Sequence, residues 1–318
     1  MCVSCGCSDT DDVTITDPAA EKGRGKGKLW KPGVVWRPLG DSGQQEVHVD
    51  AHVDAHSHAH GRNHYHSPSH QHDHQHPHEN AERTAEVALH ARLHGTTVAL
   101  EQDILSKNQH LAEHNRDWFA ERGILALNLV SSPGSGKTTL LERTIRDLRE
   151  RLPIHVIEGD QATVNDAERI RATGCKVIQI NTGTGCHLDA DMLARGLGPL
   201  NPPSNSVLMV ENVGNLVCPA LFDLGERAKV VILSVTEGED KPIKYPHMFK
   251  ASSVMLLNKI DLLPHLRFDV ERCIAYALQV NPAIKIIRVS AQTGAGMDDW
   301  YEWLCAEASV RRRVAATP

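Results

Sequence analysis

The sequence predicts an α/β domain built on a mostly parallel sheet, and three observations carry that expectation. Seven short apolar runs alternate with helical stretches. A Gly-rich turn carrying Lys-Thr-Thr directly follows the first run. Residues able to do chemistry then collect just beyond several later runs, where open parallel sheets bind ligands.

Residues 8–80 have no long apolar run and cannot build a core, so they read as a flexible linker and a histidine-rich tract. Within them, residues 8–47 hold Asp, Gly, Lys and Pro with isolated Trp30 and Trp36, and no element is assigned there. From Ala81, Val87, Leu89, Leu93, Val98, Leu100, Ile104, Leu105 and Leu111 recur at three- and four-residue spacings before Trp118-Phe119. That period predicts one or two helices leading into the sheet. The runs Ile124–Val130, Ile154–Ile157, Lys176–Ile180, Val207–Val210, Val230–Val235, Val254–Leu257 and Ile284–Val289 read as buried strands. The folded part is expected to span residues 81–310, with residues 311–318 a flexible tail.

A net charge of −6 gives no support to a nucleic-acid surface, and Arg311-Arg-Arg313 reads as a solvated terminus. The eight cysteines are scattered rather than dense, which suits a reducing compartment. No segment reaches the ~18 apolar residues of a membrane span, and the start has no basic-then-apolar leader, so the expected location is cytoplasmic.

Ser132-Pro-Gly-Ser-Gly-Lys-Thr-Thr139 sits between a strand and a helix, the order in which backbone N–H groups cradle phosphates. Gly134, Ser135, Gly136, Lys137, Thr138 and Thr139 are the phosphate-binding candidates, with Lys137 reaching the β/γ-phosphates and Thr138 a Mg2+ ion. The pattern departs from the usual one where Ser131 stands in place of a glycine. Glu158-Gly-Asp160 and Glu211-Asn-Val-Gly214 each sit at a strand end, where carboxylates could hold magnesium or its waters and sense the γ-phosphate, and Asp160 and Glu211 join Thr138 as magnesium candidates. Lys137 and Asp160 are the candidates for catalysis.

Asn258-Lys259-Ile-Asp261 and Ser290-Ala291 each follow a late strand and resemble the guanine-reading pair of GTPases. A carboxylate at Asp261 matches guanine's N1–H and N2–H donors, which adenine lacks, so GTP is favoured over ATP. No glutamine or arginine finger is apparent, and slow intrinsic hydrolysis is expected, with Lys244 a contributor in trans.

Twelve histidines lie within residues 48–78. Clustered imidazoles select nickel, copper, zinc or cobalt over magnesium. His56, His58, His60, His64, His66, His70, His72, His74, His76 and His78 offer overlapping pairs suited to storing several ions. Ser, Gln, Asp, Pro and Ala interleave with them, unlike a contiguous tag. Cys2, Cys5 and Cys7 bring three thiolates together without a folded scaffold. Cys186, His187 and Cys218 hang from two strand ends; they are either a zinc or nickel site completed by water or a second subunit, or small core residues. Cys175, Cys273 and Cys305 are read as core residues.

With Cys2-x-x-Cys5-x-Cys7, the phosphate loop, Thr184-Gly-Cys-His187, Glu211-Asn-Val-Gly-Asn-Leu-Val-Cys218 and Asn258-Lys-Ile-Asp261 in this order, the chain resembles the HypB family. That resemblance covers residues 1–7 and about 120–300. It implies a P-loop GTPase of the signal-recognition and MinD-like class that dimerises with GTP. It further implies receipt of Ni2+ and its passage, with a HypA-type metallochaperone, toward the hydrogenase large-subunit precursor. Carried over, the nickel site falls on Cys2, Cys5 and Cys7, and a Ni2+ or Zn2+ site on Cys186, His187 and Cys218. The histidine tract, found in only some members, is then an added store. Two alternatives stand beside this: a nickel buffer anchored by its GTPase domain, and a urease-type nickel-insertion GTPase. The latter is associated with Cys-Pro-His, whereas Cys186-His187 has no proline between.

Overall fold

All seven apolar runs are strands: β2 (Leu125–Ser131), β3 (Ile154–Asp160), β4 (Lys176–Asn181), β5 (Val207–Glu211), β6 (Ala228–Ser234), β7 (Val254–Asn258) and β8 (Lys285–Arg288). The structure, a computed structural model, describes residues 13–17, 102–161 and 165–315 of the 318-residue chain. An eighth strand, β1 (Thr14–Thr16), caps one edge, and the order across the sheet is β1-β4-β3-β5-β2-β6-β7-β8. All pairings from β4 to β8 are parallel. Their carboxyl ends therefore lie along one edge of the sheet.

Helices return the chain between strands: α1 (102–121), α2 (Lys137–Leu148), α3 (Asn165–Ala172), α4 (Ala190–Leu200), α5 (Cys218–Leu221), α6 (Lys241–Lys244), α7 (Pro246–Ala251), α8 (Val270–Val280) and α9 (Met297–Ala315). Strand alternation sends Leu125, Leu127 and Leu129 of β2 to one face, where α2, α3 and α9 cover them. Ala126 points to the other face with Ile157, Ile178 and Val210, under α1 and α4. Val130, Val231 and Met255 continue that second face beneath α7 and α8. The architecture is thus helices on both faces of a mostly parallel sheet, as predicted.

Two expectations need correction. Residues 8–47 were assigned no element, yet Thr14, Ile15 and Thr16 pair antiparallel with Asn181, Ile180 and Gln179. Three residues are too few to show a period, and the free edge of β4 decides their conformation. Strands β3, β5 and β7 also run past their apolar stretches to include Asp160, Glu211 and Asn258. Ladder pairing continues there, Glu158 opposite Glu211 and Asp160 opposite Asn181, so the polar residues at the strand ends are themselves the last paired positions. Residues 81–101, which carry most of the predicted leading helices, lie outside the described residues, as does the tail 316–318.

Helix α9 is seated by Trp300, fully buried and donating its indole N–H to Thr144 Oγ1 of α2 at 3.0 Å. Trp300→Ala is expected to lower the unfolding free energy by about 3–5 kcal/mol, read as a fall in the urea midpoint at constant slope. A loss under about 1 kcal/mol would mean that α9 packs without this anchor.

Candidate nucleotide and metal site

The turn from β2 into α2 is shaped by Gly134 and Gly136, whose φ angles are +75° and +97°. Alternating left-handed positions turn successive N–H groups toward one point, an anion cradle. At Gly136 a side chain is also excluded by space, since a Cβ would stand 2.7 Å from Asn258 Nδ2. Lys137 Nζ donates to Ser131 Oγ at 3.0 Å, so the residue that departs from the usual pattern closes the loop beneath the lysine. Ser135 Oγ is buried with no protein partner, as suits a hydroxyl facing phosphate. Thr139 Oγ1 accepts from Arg169 of α3 at 3.1 Å.

Thr138 Oγ1 donates to Glu211 Oε1 at 2.7 Å, which ties the start of α2 to the end of β5. Glu158, opposite Glu211 in the ladder, is buried, and its Oε2 has no partner. Burial pushes the Glu158 carboxyl up to about 9, reinforced by Glu211, Asp160 and Asp166 and opposed by Lys137. Burial likewise raises Glu211 to about 7, against the pull of Lys137 and the Thr138 hydroxyl. Buried carboxylate oxygens left unsatisfied beside a phosphate cradle fit Mg2+, a hard cation that takes oxygen ligands. The sequence names Glu158-Gly-Asp160 as carboxylates for that ion or its waters, with Thr138, Asp160 and Glu211 as its ligands; residues two apart in a strand share a face, so Glu158 accompanies Asp160.

At the base end, Asn258 Nδ2 donates to Ser135 O at 2.9 Å and its Oδ1 accepts from Ala291 N–H at 3.2 Å. One side chain thus joins the phosphate loop to the Ser290-Ala291 turn. Lys259, in a left-handed conformation, donates from Nζ to Gly134 O at 2.7 Å and lays its stem along the loop. Ser290 Oγ donates to Asp261 Oδ1, orienting the carboxylate. Lys244, singled out from the sequence, pairs with Asp240 at 2.7 Å. Its neighbour Lys241 instead reaches the phosphate loop, donating to Ser132 Oγ at 3.2 Å.

Cys186, His187 and Cys218 come together, with one ligand atom from each lying within 4.8 Å of the others. The two sulfurs are 3.0 Å apart and Cys186 Sγ is 3.8 Å from His187 Nδ1. A sulfur and a ring nitrogen bound tetrahedrally to one zinc ion stand roughly 3.6 Å apart, close to the 3.8 Å seen, while the two sulfurs lie nearer than the roughly 3.8 Å of two bound thiolates. Burial pushes the His187 imidazole down to about 4, leaving it neutral with a lone pair available near pH 7. Its ring lies 3.9 Å from that of Phe222. The reading of these cysteines as mere core residues loses ground: both are only partly buried, whereas Cys175 and Cys273 are buried with thiols pushed up to about 12. Cys2, Cys5, Cys7 and the histidine tract lie outside the described residues.

The loop carrying these ligands is fastened to the same strand ends that hold the carboxylates. Asn212, next to Glu211, accepts from Leu188 N–H at 3.0 Å through Oδ1 and donates to Asn128 Oδ1 at 3.2 Å. Asn128 donates to Glu226, which pairs with buried Lys229 at 2.9 Å, and Lys229 caps Phe222 O at 3.0 Å. Gly159, between Glu158 and Asp160, lies against Leu188, where a Cβ would stand 2.7 Å from the leucine side chain. Gly214 lies against Pro133 of the phosphate loop in the same way, at 3.1 Å.

Residues 125–288 match the family model described as CobW/HypB/UreG, nucleotide-binding domain. The chain is 65% identical over 207 residues to Hydrogenase maturation factor HypB of Escherichia coli (strain K12), covering 65% of this chain and 71% of that protein. Against its counterpart from Rhizobium leguminosarum bv. viciae it is 60% identical over 221 residues, covering 69% and 74%. Among solved structures, Hydrogenase Maturation Factor HypB from Archaeoglobus fulgidus is 40% identical with a TM-score of 0.60, covering 64% of this chain and 99% of that one. HypB from Helicobacter pylori in complex with nickel is 34% identical with a TM-score of 0.61, covering 65% and 97%.

Asp261→Ala is expected to weaken guanine-nucleotide binding by roughly 100-fold, because two base donors lose their acceptor; titration with a fluorescent GDP analogue reads this. Gly159→Ala is expected to displace Leu188 and lower zinc affinity at Cys186, His187 and Cys218 without touching a ligand. Isothermal titration against wild type checks it, and equal affinities would show the loop to be independent of β3.

Proposed function

The chain belongs to the HypB family of hydrogenase maturation factors, and on that premise we propose that it binds and hydrolyses GTP to control the holding and release of nickel at Cys186, His187 and Cys218. The destination is the precursor of a nickel-iron hydrogenase large subunit, reached with a HypA-type metallochaperone and through a GTP-dependent homodimer. The names of the relatives support the maturation role, and the relative solved with nickel supports the cargo. Zinc is the competing occupant of the same thiolate and imidazole set. Residues 1–7 receive nickel and residues 48–78 store it on this reading.

In this mechanism the N–H cradle of Gly134–Thr138 and Lys137 grip the β- and γ-phosphates, while Asn258, Asp261 and Ala291 orient the base. Thr138, Glu211 and Asp160 would hold Mg2+, which would supply positive charge against the phosphate oxygens. Water then takes the γ-phosphoryl group, leaving GDP and phosphate. Lys137 stabilises the charge that develops on the leaving oxygen.

One observation carries the coupling of nucleotide to metal. Consecutive residues of β5 and the turn after it face opposite ways: Glu211 bonds Thr138 of the phosphate-loop helix, and Asn212 bonds the backbone beside His187. A shift of Glu211 on loss of the γ-phosphate therefore moves the anchor of the metal loop.

Lys137→Ala is expected to cut hydrolysis by about 100-fold or more while leaving the fold intact, measured by phosphate release. For the coupling, nickel affinity is compared with a non-hydrolysable GTP analogue and with GDP. The part of the thiolate-to-nickel absorbance that disappears in the Cys186→Ser/Cys218→Ser variant isolates this site from Cys2, Cys5 and Cys7 in the full chain. A difference of at least roughly tenfold, or about 1.4 kcal/mol, is expected; identical affinities would sink the coupling.

A further inference from the structure

Helix α1 carries two exposed histidines one turn apart, His110 and His114, whose Nε2 atoms are 3.2 Å from each other with the rings edge to face. Residues four apart share a helix face, and paired imidazoles at this spacing form a chelate for a transition-metal ion. Two imidazole nitrogens bound at ~2.0–2.1 Å to one ion stand about 2.9 Å apart at a right angle and about 3.4 Å apart at the tetrahedral angle. The observed 3.2 Å falls between these limits. His247 and His265 are also exposed, and among the described residues neither pairs in this way with another histidine.

We propose that His110 and His114 form a second, surface metal site for a divalent nickel, zinc or copper ion, completed by water. Imidazole selects these ions over Mg2+ and Ca2+, and two protein ligands leave most positions to exchangeable solvent. The site is therefore one for loading and unloading.

Its position is set by the opposite side of the same helix. Asn108 accepts from Ala190 N–H at 2.9 Å and donates to Asp223 O at 2.8 Å. Asn115 donates to Ala190 O and Leu224 O at 2.9 and 3.1 Å. These anchor α1 to the chain just after His187 and just after Phe222. His110 also borders an open groove of about 450 Å³ whose far wall includes Leu221, three residues after Cys218. One imidazole of the pair thus lines a groove shared with the helix that begins at Cys218. The assignment rests on the histidine geometry alone and stands whether or not GTP governs the internal site.

The test uses the full chain, labelled with diethyl pyrocarbonate over a series of buffered free Ni2+ levels up to saturation, with modification of each histidine read by peptide mass spectrometry. His110 and His114 are expected to lose reactivity together in Ni2+ and to keep it in Mg2+, while His247 and His265 stay reactive as exposed references. In His114→Ala, an exposed helical substitution verified by thermal unfolding, His110 is expected to regain reactivity in Ni2+. Protection in the Cys186→Ser/Cys218→Ser variant is expected to match wild type. The assignment is overturned if His110 remains reactive at saturating Ni2+, or if its protection survives in His114→Ala. A simple hydrogen bond between the rings gives the first of these outcomes.

Discussion

A buried chain of polar side chains, Asn128, Asn212, Glu226 and Lys229, holds the middle of this molecule together. Asn128 sits at the centre of β2, fully buried, where an unpaired amide would cost about 1–3 kcal/mol. Its two ends are matched by Glu226 and Asn212, and Asn212 is matched in turn by the N–H groups of Leu188 and Val213. Each link satisfies the next, so the phosphate strand, the end of β5, the metal-bearing loop and the Phe222 turn take up one joint arrangement. A partly satisfied network of this kind would be worse than an apolar core.

Opposite this network, on the other face of the same strands, lie the carboxylates Glu158 and Glu211 beside Thr138 and Lys137. The period of two in β3 and β5 does the sorting. Glu158 and Asp160 point to the nucleotide side while Gly159 admits Leu188 from the metal side, and Glu211 and Asn212 repeat the division. A sheet only one residue thick therefore separates the two chemistries, and each strand end belongs to both. This is the physical ground for proposing that one site governs the other.

Much of the arrangement was legible in the chain itself. The strands announced themselves because strands buried on both faces must be apolar throughout, and the phosphate loop because only glycines adopt its left-handed turns. Asn258, Asp261 and Ser290 were found by their places after late strands. Glu158 was visible as a carboxylate at a strand end, but its burial was not, because the apolar run ended before it and the strand did not. Strand β1 escaped for a different reason: Thr14–Thr16 is a strand only because β4 offers an edge. Lys241 and Lys244 are indistinguishable by type and local composition, and only packing sends the first to Ser132 and the second to Asp240.

By itself, the sequence determined the α/β class, the phosphate loop and the kinds of metal ligand the chain can offer, because these depend on local periodicity, backbone permissiveness and side-chain chemistry. Tertiary structure alone decided which ligands meet. Cys186 and Cys218 are 32 residues apart and stand on different strand ends, and no local rule brings their sulfurs to 3.0 Å. That closeness comes from the strand order, with β3 between β4 and β5, and from the buried amides that lock the two loops against it. The pairing of Glu158 with Glu211 has the same origin, since ladder register is a property of the assembled sheet.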